Sequence, residues 1–328
     1  MLICSVQVSS QTVPTSKMRQ NNKLTALSIS LNVILLITAY RQACQVYKYV
    51  PRPTAIVTFE SQSVILSTEE SLYAMYGEGN FTDHDRQLLN YIRSMTSQQG
   101  SGGRHLAEPS RIDFSQFGGA RFVDRLLRRR RNGYFVECGA FRGEDLSDTL
   151  FFELQRNWTG ILVEPHPEYH REILRKNRRA LVLRACLSSS RRPALVKFKL
   201  AGWGSGVSAL NKNVRLANQT ISETRVQCFS LNSIMAAIGV RHIDFMVLDV
   251  EGSELPVLQS IDWTRLSIDI FSIEYSEHSR RRTMKKLNKI RHFFNKTGQV
   301  TGHRYKEVGI LPLGAKEYLA QDVIFMRV

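Results

Sequence analysis

The chain after Gly133 alternates short apolar runs with amphipathic stretches. Helices are predicted at 144–156 and 167–176, after Ser230 up to Gly239, and from Ser253 onwards. Apolar strands separated by helices are typical of an α/β fold with a doubly wound, mostly parallel sheet. Two final runs predict strands that close the sheet edge antiparallel. The predicted strands read YFVEC, TGILVE, ALVLRAC, ALVKFKL, IDFMVLDV and DIFSIEY, followed by EVGILPL and DVIFMRV.

An uncharged apolar segment lies near the start of the chain, at 24–40, between Lys23 and Arg41. As a helix it would be about 25 Å long. That length suits the hydrocarbon layer of the endoplasmic reticulum, which is about 27 Å thick. A secretory signal cleaved near Ala39 or Ala43 is the alternative. Since no clear A-x-A site follows, we favour an uncleaved membrane anchor.

Glycosylation sequons set the predicted orientation, because basic residues flank the segment equally on both sides. All four N-x-S/T sequons follow the anchor, at Asn80, Asn157, Asn218 and Asn295. This distribution favours a lumenal body and a short cytosolic tail, which is a type II topology. The sequence thus predicts a cytosolic tail at 1–23, a transmembrane signal-anchor at 24–40, a stem and linker at 41–110 and one domain at 111–328.

The predicted stem contains one helix near 83–95, begun by Thr82, and then the flexible run SQQGSGG at 97–103. Because this linker separates the helix from the periodic part of the chain, we expect residues 111–328 to fold without the stem.

Charge and cysteine content exclude several classes of protein. The formal net charge is +16, but the basic residues form separate clusters at 128–131, 175–179 and 280–286 without any nucleic-acid-binding motif. Nucleic-acid binding is therefore disfavoured, and solvated surface or attraction to acidic lipids explains the clusters. Five scattered cysteines without a CxxC pair predict neither a disulfide scaffold nor a zinc site. Cys138, Cys186 and Cys228 are predicted to be free and buried.

A glycine turn follows the first predicted strand, where Glu137 precedes Gly139 and Gly143. Glycines at this place let the backbone approach a ligand, although glycines also occur in plain turns. The second strand ends in Glu164, twenty-five residues after Gly139. A carboxylate there can accept both ribose hydroxyls of a nucleoside, and the alternative is an acid favoured at a helix N-terminus. Together the two features indicate nucleoside binding.

Acidic residues end four predicted strands: Glu137, Glu164, Asp249 and Glu274. Carboxyl ends of parallel strands meet at one edge of the sheet, so we expect these side chains to converge. Asp249 ends an apolar strand, which makes it a candidate for a substrate-facing base or a metal ligand. Alternatively, Asp249 and Glu251 cap the following helix and hold its loop.

These motifs, in order over residues 122–328, resemble the FkbM-type methyltransferase domain. The matching segments are FVECGAFRGEDLSDT, ILVEPHPEYHREILRKNRRA, ACLS and, most specifically, FMVLDVEGSELPVL. The resemblance implies a class I fold that uses S-adenosylmethionine, commonly for O-methylation. It implies cofactor contacts from Glu137, Gly139 and Gly143, ribose binding by Glu164, and adenine packing at Ala185, Cys186 and Leu187. The candidate catalytic residues are Asp249, Glu251 and Glu274, and no metal site is predicted.

The anchor and the segments LSDT, KNRRA and GVSAL look more like the animal Star-like branch of this family. That likeness implies a membrane protein of the early secretory pathway, linked to export of growth-factor precursors. One hypothesis is therefore a membrane-anchored O-methyltransferase acting on a small-molecule, glycan or protein acceptor. The other is a catalytically silent export factor that binds secretory cargo. Both predict a single-pass type II protein of the endoplasmic reticulum or Golgi, with the endosome and plasma membrane as further destinations.

Overall fold

The protein is described by a computed structural model over residues 83–98, 102–200, 206–207, 222–277 and 279–328. The chain divides between Glu60 and Ser61, and every described residue lies in the second unit. The predicted tail and anchor, most of the predicted stem, and the sequons Asn80 and Asn218 lie outside the described residues. Among the helices that are described, none has both the length and the apolarity needed to cross a membrane.

Twelve strands are described, and eight of them form one central sheet. The sheet has the order β1-β4-β3-β2-β9-β10-β12-β11. Neighbours from β4 to β10 are parallel, while β1 and the C-terminal pair β11 and β12 run antiparallel. This order confirms the predicted α/β class and the antiparallel closing strands. The strands are β1 (Thr96–Ser97), β2 (Tyr134–Cys138), β3 (Thr159–Val163), β4 (Leu181–Leu183), β5 (Cys186–Leu187), β6 (Ala194–Leu200), β7 (Gly206–Val207), β8 (Ser222–Phe229), β9 (His242–Leu248), β10 (Ser267–Glu274), β11 (Tyr305–Leu311) and β12 (Asp322–Arg327).

Helices cover both faces of this sheet, and successive strand residues face opposite layers. Val136 packs in the layer with α1, α5, α6 and α7, whereas its neighbour Phe135 packs in the layer with α2, α3 and α4. The helices are α1 (Arg86–Met95), α2 (Gly119–Leu126), α3 (Leu150–Gln155), α4 (Pro167–Lys176), α5 (Leu231–Ile238), α6 (Glu254–Ser260) and α7 (Arg280–Thr301).

Local signals explain the helix ends that the sequence predicted well. Pro167 opens α4, and the Ser230 hydroxyl accepts a hydrogen bond from the Ser233 N–H at the start of α5. Gly239 ends α5 in the left-handed conformation. The prediction for 144–156 was wrong in its first half, because helix α3 spans only Leu150–Gln155. Residues before α3 form a loop, which hydrogen-bonds to the buried carboxylate of Glu137.

The sequence reasoning missed a second sheet and the longest helix. Strands β5, β8, β6 and β7 form a four-stranded sheet, and the predicted strand 180–186 is split between the two sheets. Helix α7 begins at Arg280, and the hydroxyl of the preceding Ser279 accepts a hydrogen bond from the Arg282 N–H. Its many basic residues hid the apolar stripe of Leu287, Ile290 and Phe294 that packs on the sheet.

The second sheet contains a disulfide between Cys186 and Cys228. The two residues lie directly opposite each other on β5 and β8. The expectation that both are free thiols was wrong, because strand pairing brings together residues 42 positions apart. Cys138 is free and buried, as predicted.

Helix α1 lies in the main core, although the sequence placed it in the stem. Leu88 and Ile92 are fully buried in the layer that contains α5, and β1 extends the sheet beside β4. The linker at 97–103 therefore follows packed residues. Independent folding of residues 111–328 stays a prediction, and the packing favours a folded unit that begins near Asp83.

Candidate functional site

A cavity of about 280 Å³ opens at the carboxyl ends of the parallel strands. It lies where the strand order reverses, between β2 and β9, which is where open α/β sheets bind ligands. Gly139 lines the cavity and lets the chain after β2 pass close to the end of β9, since a Cβ atom there would lie 1.9 Å from the backbone oxygen of Asp249. Its φ of +83° also favours glycine.

Gly143 does not line the cavity. It has a φ of +75°, and a Cβ atom there would lie 3.0 Å from the Ile173 side chain on α4. Its backbone oxygen accepts a hydrogen bond of 2.8 Å from Arg178. Gly143 therefore packs the loop against α4, and its predicted contact with the cofactor stays a prediction.

Glu164 lies in the cavity wall at the end of β3, as predicted. Its two carboxylate oxygens accept hydrogen bonds from the backbone N–H groups of His166 (2.7 Å) and Phe141 (2.9 Å). Burial raises the pKa of Glu164 to about 8, and the two N–H donors partly oppose that rise. Each oxygen keeps a second lone pair for a ligand hydroxyl.

Glu137 also lines the cavity, but its carboxylate is engaged by the loop before α3. It accepts hydrogen bonds from the Ser147 hydroxyl (3.0 Å), the Asp148 N–H (2.9 Å) and the Thr149 hydroxyl (2.6 Å). These bonds are the reason why the loop is not helical. Glu137 thus holds the loop that shapes this part of the cavity wall, and its predicted contact with the cofactor stays a prediction.

Arg178 completes this buried network and is fully inaccessible to solvent. It donates to the Ser147 and Thr149 hydroxyls and lies 3.6 Å from the Glu137 carboxylate. The sequence reasoning assigned the cluster 175–179 to solvated surface, which is wrong for this member. No sequence signal separates Arg178 from its exposed neighbours.

Asp249, Glu251 and Glu274 meet at the same edge of the cavity, as predicted. Burial and the neighbouring acids raise the pKa of Asp249 well above its usual value. Burial raises the pKa of Glu251 to about 7 and that of Glu274 to about 8. Lys286 on α7 forms ion pairs of 2.9 Å with both Glu274 and Glu254. Glu274 is therefore partly neutralised, whereas Asp249 has no ion pair with any described residue.

The loop between β9 and α6 is held by Glu254. From the sequence, Asp249 and Glu251 were the expected candidates for that role. A Glu254 carboxylate oxygen accepts from the N–H groups of Val250 (3.2 Å) and Gly252 (3.0 Å). Glu251 itself has a φ of +53°, a conformation that a non-glycine residue adopts at a cost. Asp249 and Glu251 are thus left facing the cavity.

Sequence reasoning missed further acids in the wall. Asp322 is the first residue of β12. Because β12 runs antiparallel to β10, the start of β12 lies beside the end of β10, at the cavity. Burial raises the pKa of Asp322 to about 6. Asp148 is also buried, with one oxygen lacking a hydrogen-bond partner, and burial raises its pKa well above the usual value. Asp148 was hidden because its loop was predicted to be helical.

The opposite wall is apolar and includes the predicted adenine residues Ala185, Cys186 and Leu187. Beside Glu164, the rings of Phe141 and Tyr169 pack edge to face with centroids 4.5 Å apart. This aromatic pair was not predicted. The cavity therefore has an apolar side next to Glu164 and an acidic side next to Asp249.

The acidic side lacks a cationic side chain in its lining. Eight carboxyl groups line the described cavity, and no Lys, Arg or His does. They belong to Glu137, Asp145, Asp148, Glu164, Asp249, Glu251, Glu274 and Asp322. Ligand atoms of Asp249, Glu254 and Glu274 lie within 4.8 Å of one another, a spacing that could hold a metal ion. The Lys286 ammonium already lies between Glu254 and Glu274, so that position is filled by a side-chain cation.

Comparison with known proteins supports the resemblance found in the sequence. Residues 137–301, half of the chain, match the family described as the methyltransferase FkbM domain. A search of curated proteins finds no match. Neither result bears on the likeness to Star-like membrane proteins, which stays a prediction.

Solved structures give distant likenesses. The methyltransferase FkbM from Methylobacillus flagellatus is 13% identical with a TM-score of 0.40, covering 65% of this chain and 48% of that one. A putative methyltransferase from Streptococcus mutans in complex with SAH is 11% identical with a TM-score of 0.35, covering 63% and 97%. An O-methyltransferase from Bacillus cereus in complex with SAH is 11% identical with a TM-score of 0.34, covering 80% and 96%. The matched region thus spans about half the length of the Methylobacillus protein.

Proposed function

The chain belongs to the methyltransferase FkbM domain family, and from that premise we propose that it is a membrane-anchored O-methyltransferase of the secretory pathway. Membership in this family supports S-adenosylmethionine as the cofactor. The observation that carries the proposal is the cavity at the carboxyl ends of β2 and β9, which Gly139 and Glu164 both line.

The residues of the cavity fit this cofactor. S-adenosylmethionine carries a sulfonium and an ammonium cation against one carboxylate, and the lining offers only acidic charge. Glu164 would hold the ribose, since both of its oxygens are anchored by backbone N–H groups and keep free lone pairs. The apolar wall with Leu187, Phe141 and Tyr169 would hold the adenine. A cationic nucleoside therefore matches both sides of the cavity.

When bound, the cofactor supplies an electrophilic methyl group, and the side chains of this protein position the acceptor. Asp249 and Glu251 both line the cavity. Burial raises the pKa of Glu251 to about 7, so its carboxylate can take a proton from an acceptor hydroxyl near neutral pH, while Asp249 orients that hydroxyl by a hydrogen bond. Lys286 holds Glu274 in place through their ion pair. The apolar wall excludes water, which strengthens these electrostatic interactions. This arrangement favours a hydroxyl acceptor.

Two features support a lumenal position for this domain. The Cys186–Cys228 disulfide is typical of oxidising compartments such as the lumen of the endoplasmic reticulum. The described sequons Asn157 and Asn295 are both exposed. A single-pass anchor at 24–40 would account for membrane attachment, and the acceptor would then be a glycan, lipid or protein hydroxyl in the lumen.

Methyl transfer tests this proposal. The full chain, purified in detergent, is incubated with S-adenosylmethionine labelled in its methyl group and with lumenal glycan, lipid and protein fractions. We expect label in one fraction and loss of that label in Asp249→Asn. If wild-type protein binds the cofactor but labels no fraction, the domain serves as a binding platform, and a secretory-cargo assay becomes the relevant readout.

Endoglycosidase treatment tests the proposed topology and should shift the gel mobility of the protein. If the mobility does not shift and the C-terminus is accessible to protease in sealed microsomes, the topology is the reverse of the one proposed.

A further inference from the structure

A second concave surface, which we call the basic groove, lies between α6 and α7, away from the cavity. Its volume is about 1110 Å³. The floor is apolar and includes Leu255, Trp263, Met284 and Phe293. No acidic residue lines the groove within the described chain.

The rim of the basic groove is a row of exposed cations on α7. Arg281, Lys285, Lys289 and Lys296 follow one another at helical spacing on one face. Within the described residues, none of these four side chains forms an ion pair. Like charges at this spacing destabilise a helix slightly, so an acidic occupant would relieve the repulsion. The groove therefore fits an occupant that is both acidic and apolar.

The chain itself contains such a segment immediately before the described residues. Residues 61–82 include three acids and no Lys or Arg, in a chain whose formal net charge is +16. Glu69 and Glu70 stand beside Leu72, Tyr73 and Met75, which could cover an apolar floor. Charge and polarity thus complement the basic groove.

Asp83, which follows this segment directly, is joined to the elements around the groove. Asp83, the first described residue, accepts hydrogen bonds from the hydroxyls of Ser230 (2.7 Å) and Ser233 (3.2 Å) at the start of α5. In the same turn, Asn232 exchanges hydrogen bonds of 3.1 and 2.8 Å with the backbone of Asp262, and Trp263 follows in the groove floor. A thirteen-residue tether can reach about 40 Å when extended, so Glu70 can reach α7.

We propose that the acidic segment 61–82 of this chain docks in the basic groove between α6 and α7, with Glu69 and Glu70 against Lys285 and Lys289. Tethering supplies a high effective concentration, so even weak exposed ion pairs and a small apolar contact suffice. The site is separate from the cavity, and the proposal does not depend on methyl transfer.

Zero-length carbodiimide crosslinking of the full chain in detergent tests this docking. We expect isopeptide links from Glu69 or Glu70 to Lys285 or Lys289 in the monomer band, with a yield that falls at least severalfold in 1 M salt, where the screening length is about 3 Å. The variants K285E/K289E and E69K/E70K should each lose the links. Their combination should restore links in the reversed direction. R282E is the matched control, because Arg282 is exposed on α7 but does not line the groove.

Three outcomes would overturn the proposal. Absence of these links in both wild type and the charge-swapped protein means that the segment does not occupy the groove. Links confined to a dimer band mean that the occupant is a second copy. Without the links, flotation with phosphatidylserine vesicles that requires Lys285 and Lys289 means that the groove faces acidic lipids.

Discussion

Replacing Glu164 by alanine should weaken S-adenosylmethionine binding by at least about tenfold, which corresponds to about 1.4 kcal/mol. Two charge-assisted hydrogen bonds from the ribose contribute about 1.5 to 3 kcal/mol each before compensation by water. Tenfold is the lower limit, because water entering the space left by the side chain can hydrate the ribose hydroxyls. Glu164→Gln retains one acceptor oxygen and should fall between alanine and wild type.

The same substitution also affects the local fold. Alanine leaves the N–H groups of Phe141 and His166 without their acceptor, while it removes a carboxyl group whose burial is itself unfavourable. These effects oppose each other, so we expect a small change in the free energy of unfolding. Thermal denaturation should verify this before affinities are compared. Glu168→Gln is the matched control, since Glu168 is an exposed carboxylate in the first turn of α4.

The pH dependence of binding gives a second readout. Since burial raises the pKa of Glu164 to about 8, the free protein holds a proton there at pH 7. A ribose that needs the carboxylate binds more tightly as the pH rises through about 8, and binding at pH 7 releases protons. The stability of the ligand-free protein depends on pH in the opposite direction. Because the pKa of Glu164 is raised in the folded state, its contribution to the free energy of unfolding is present at low pH and is lost as the pH rises through about 8. Calorimetry at several pH values measures the linkage, which Glu164→Ala should reduce. Equal affinity of this variant and wild type at all pH values would refute the ribose assignment.

Two sets of substitutions and one pair of truncated chains test the fold. Gly139→Ala should abolish cofactor binding and strongly destabilise the protein, because its Cβ would lie 1.9 Å from a backbone oxygen. Gly252→Ala is the control: its Cβ at φ +102° would meet no atom within 4 Å, so it should lower the free energy of unfolding by only about 1 to 2 kcal/mol. Denaturant titration measures both changes. Cys186→Ser with Cys228→Ser should lower the free energy of unfolding by about 2 to 4 kcal/mol, and non-reducing peptide mapping should find the pair linked in wild type. A chain of residues 83–328 should unfold cooperatively. A chain of residues 111–328 lacks the buried Leu88 and Ile92 and should have a lower melting temperature. Equal melting temperatures would support the predicted domain boundary at residue 111.

Strand patterns predicted the parts of the site that depend on sequence order. Glu137, Glu164, Asp249 and Glu274 end predicted strands, and the parallel sheet brings those ends together as expected. Asp322 was predictable in principle, because the antiparallel closure that the sequence indicated brings the start of the last strand to the same edge.

Other parts depend on packing that has no local signal. The role of Gly143 is set by Ile173 on α4, and the burial of Arg178 is set by Glu137 and its loop. The disulfide depends on the register of β5 against β8 in a sheet that the apolar pattern did not reveal. These features appear only when elements distant in sequence pack together.

Equilibrium binding of S-adenosylmethionine to the full wild-type chain tests the central claim most directly. The family membership and a cavity whose ionisable lining groups are all carboxyl groups, with Glu164 among them, predict saturable one-to-one binding below millimolar cofactor, with competition by S-adenosylhomocysteine. Glu168→Gln should bind equally well. Absence of binding at millimolar cofactor, in protein that unfolds cooperatively, would contradict the assignment of this cavity as a cofactor site.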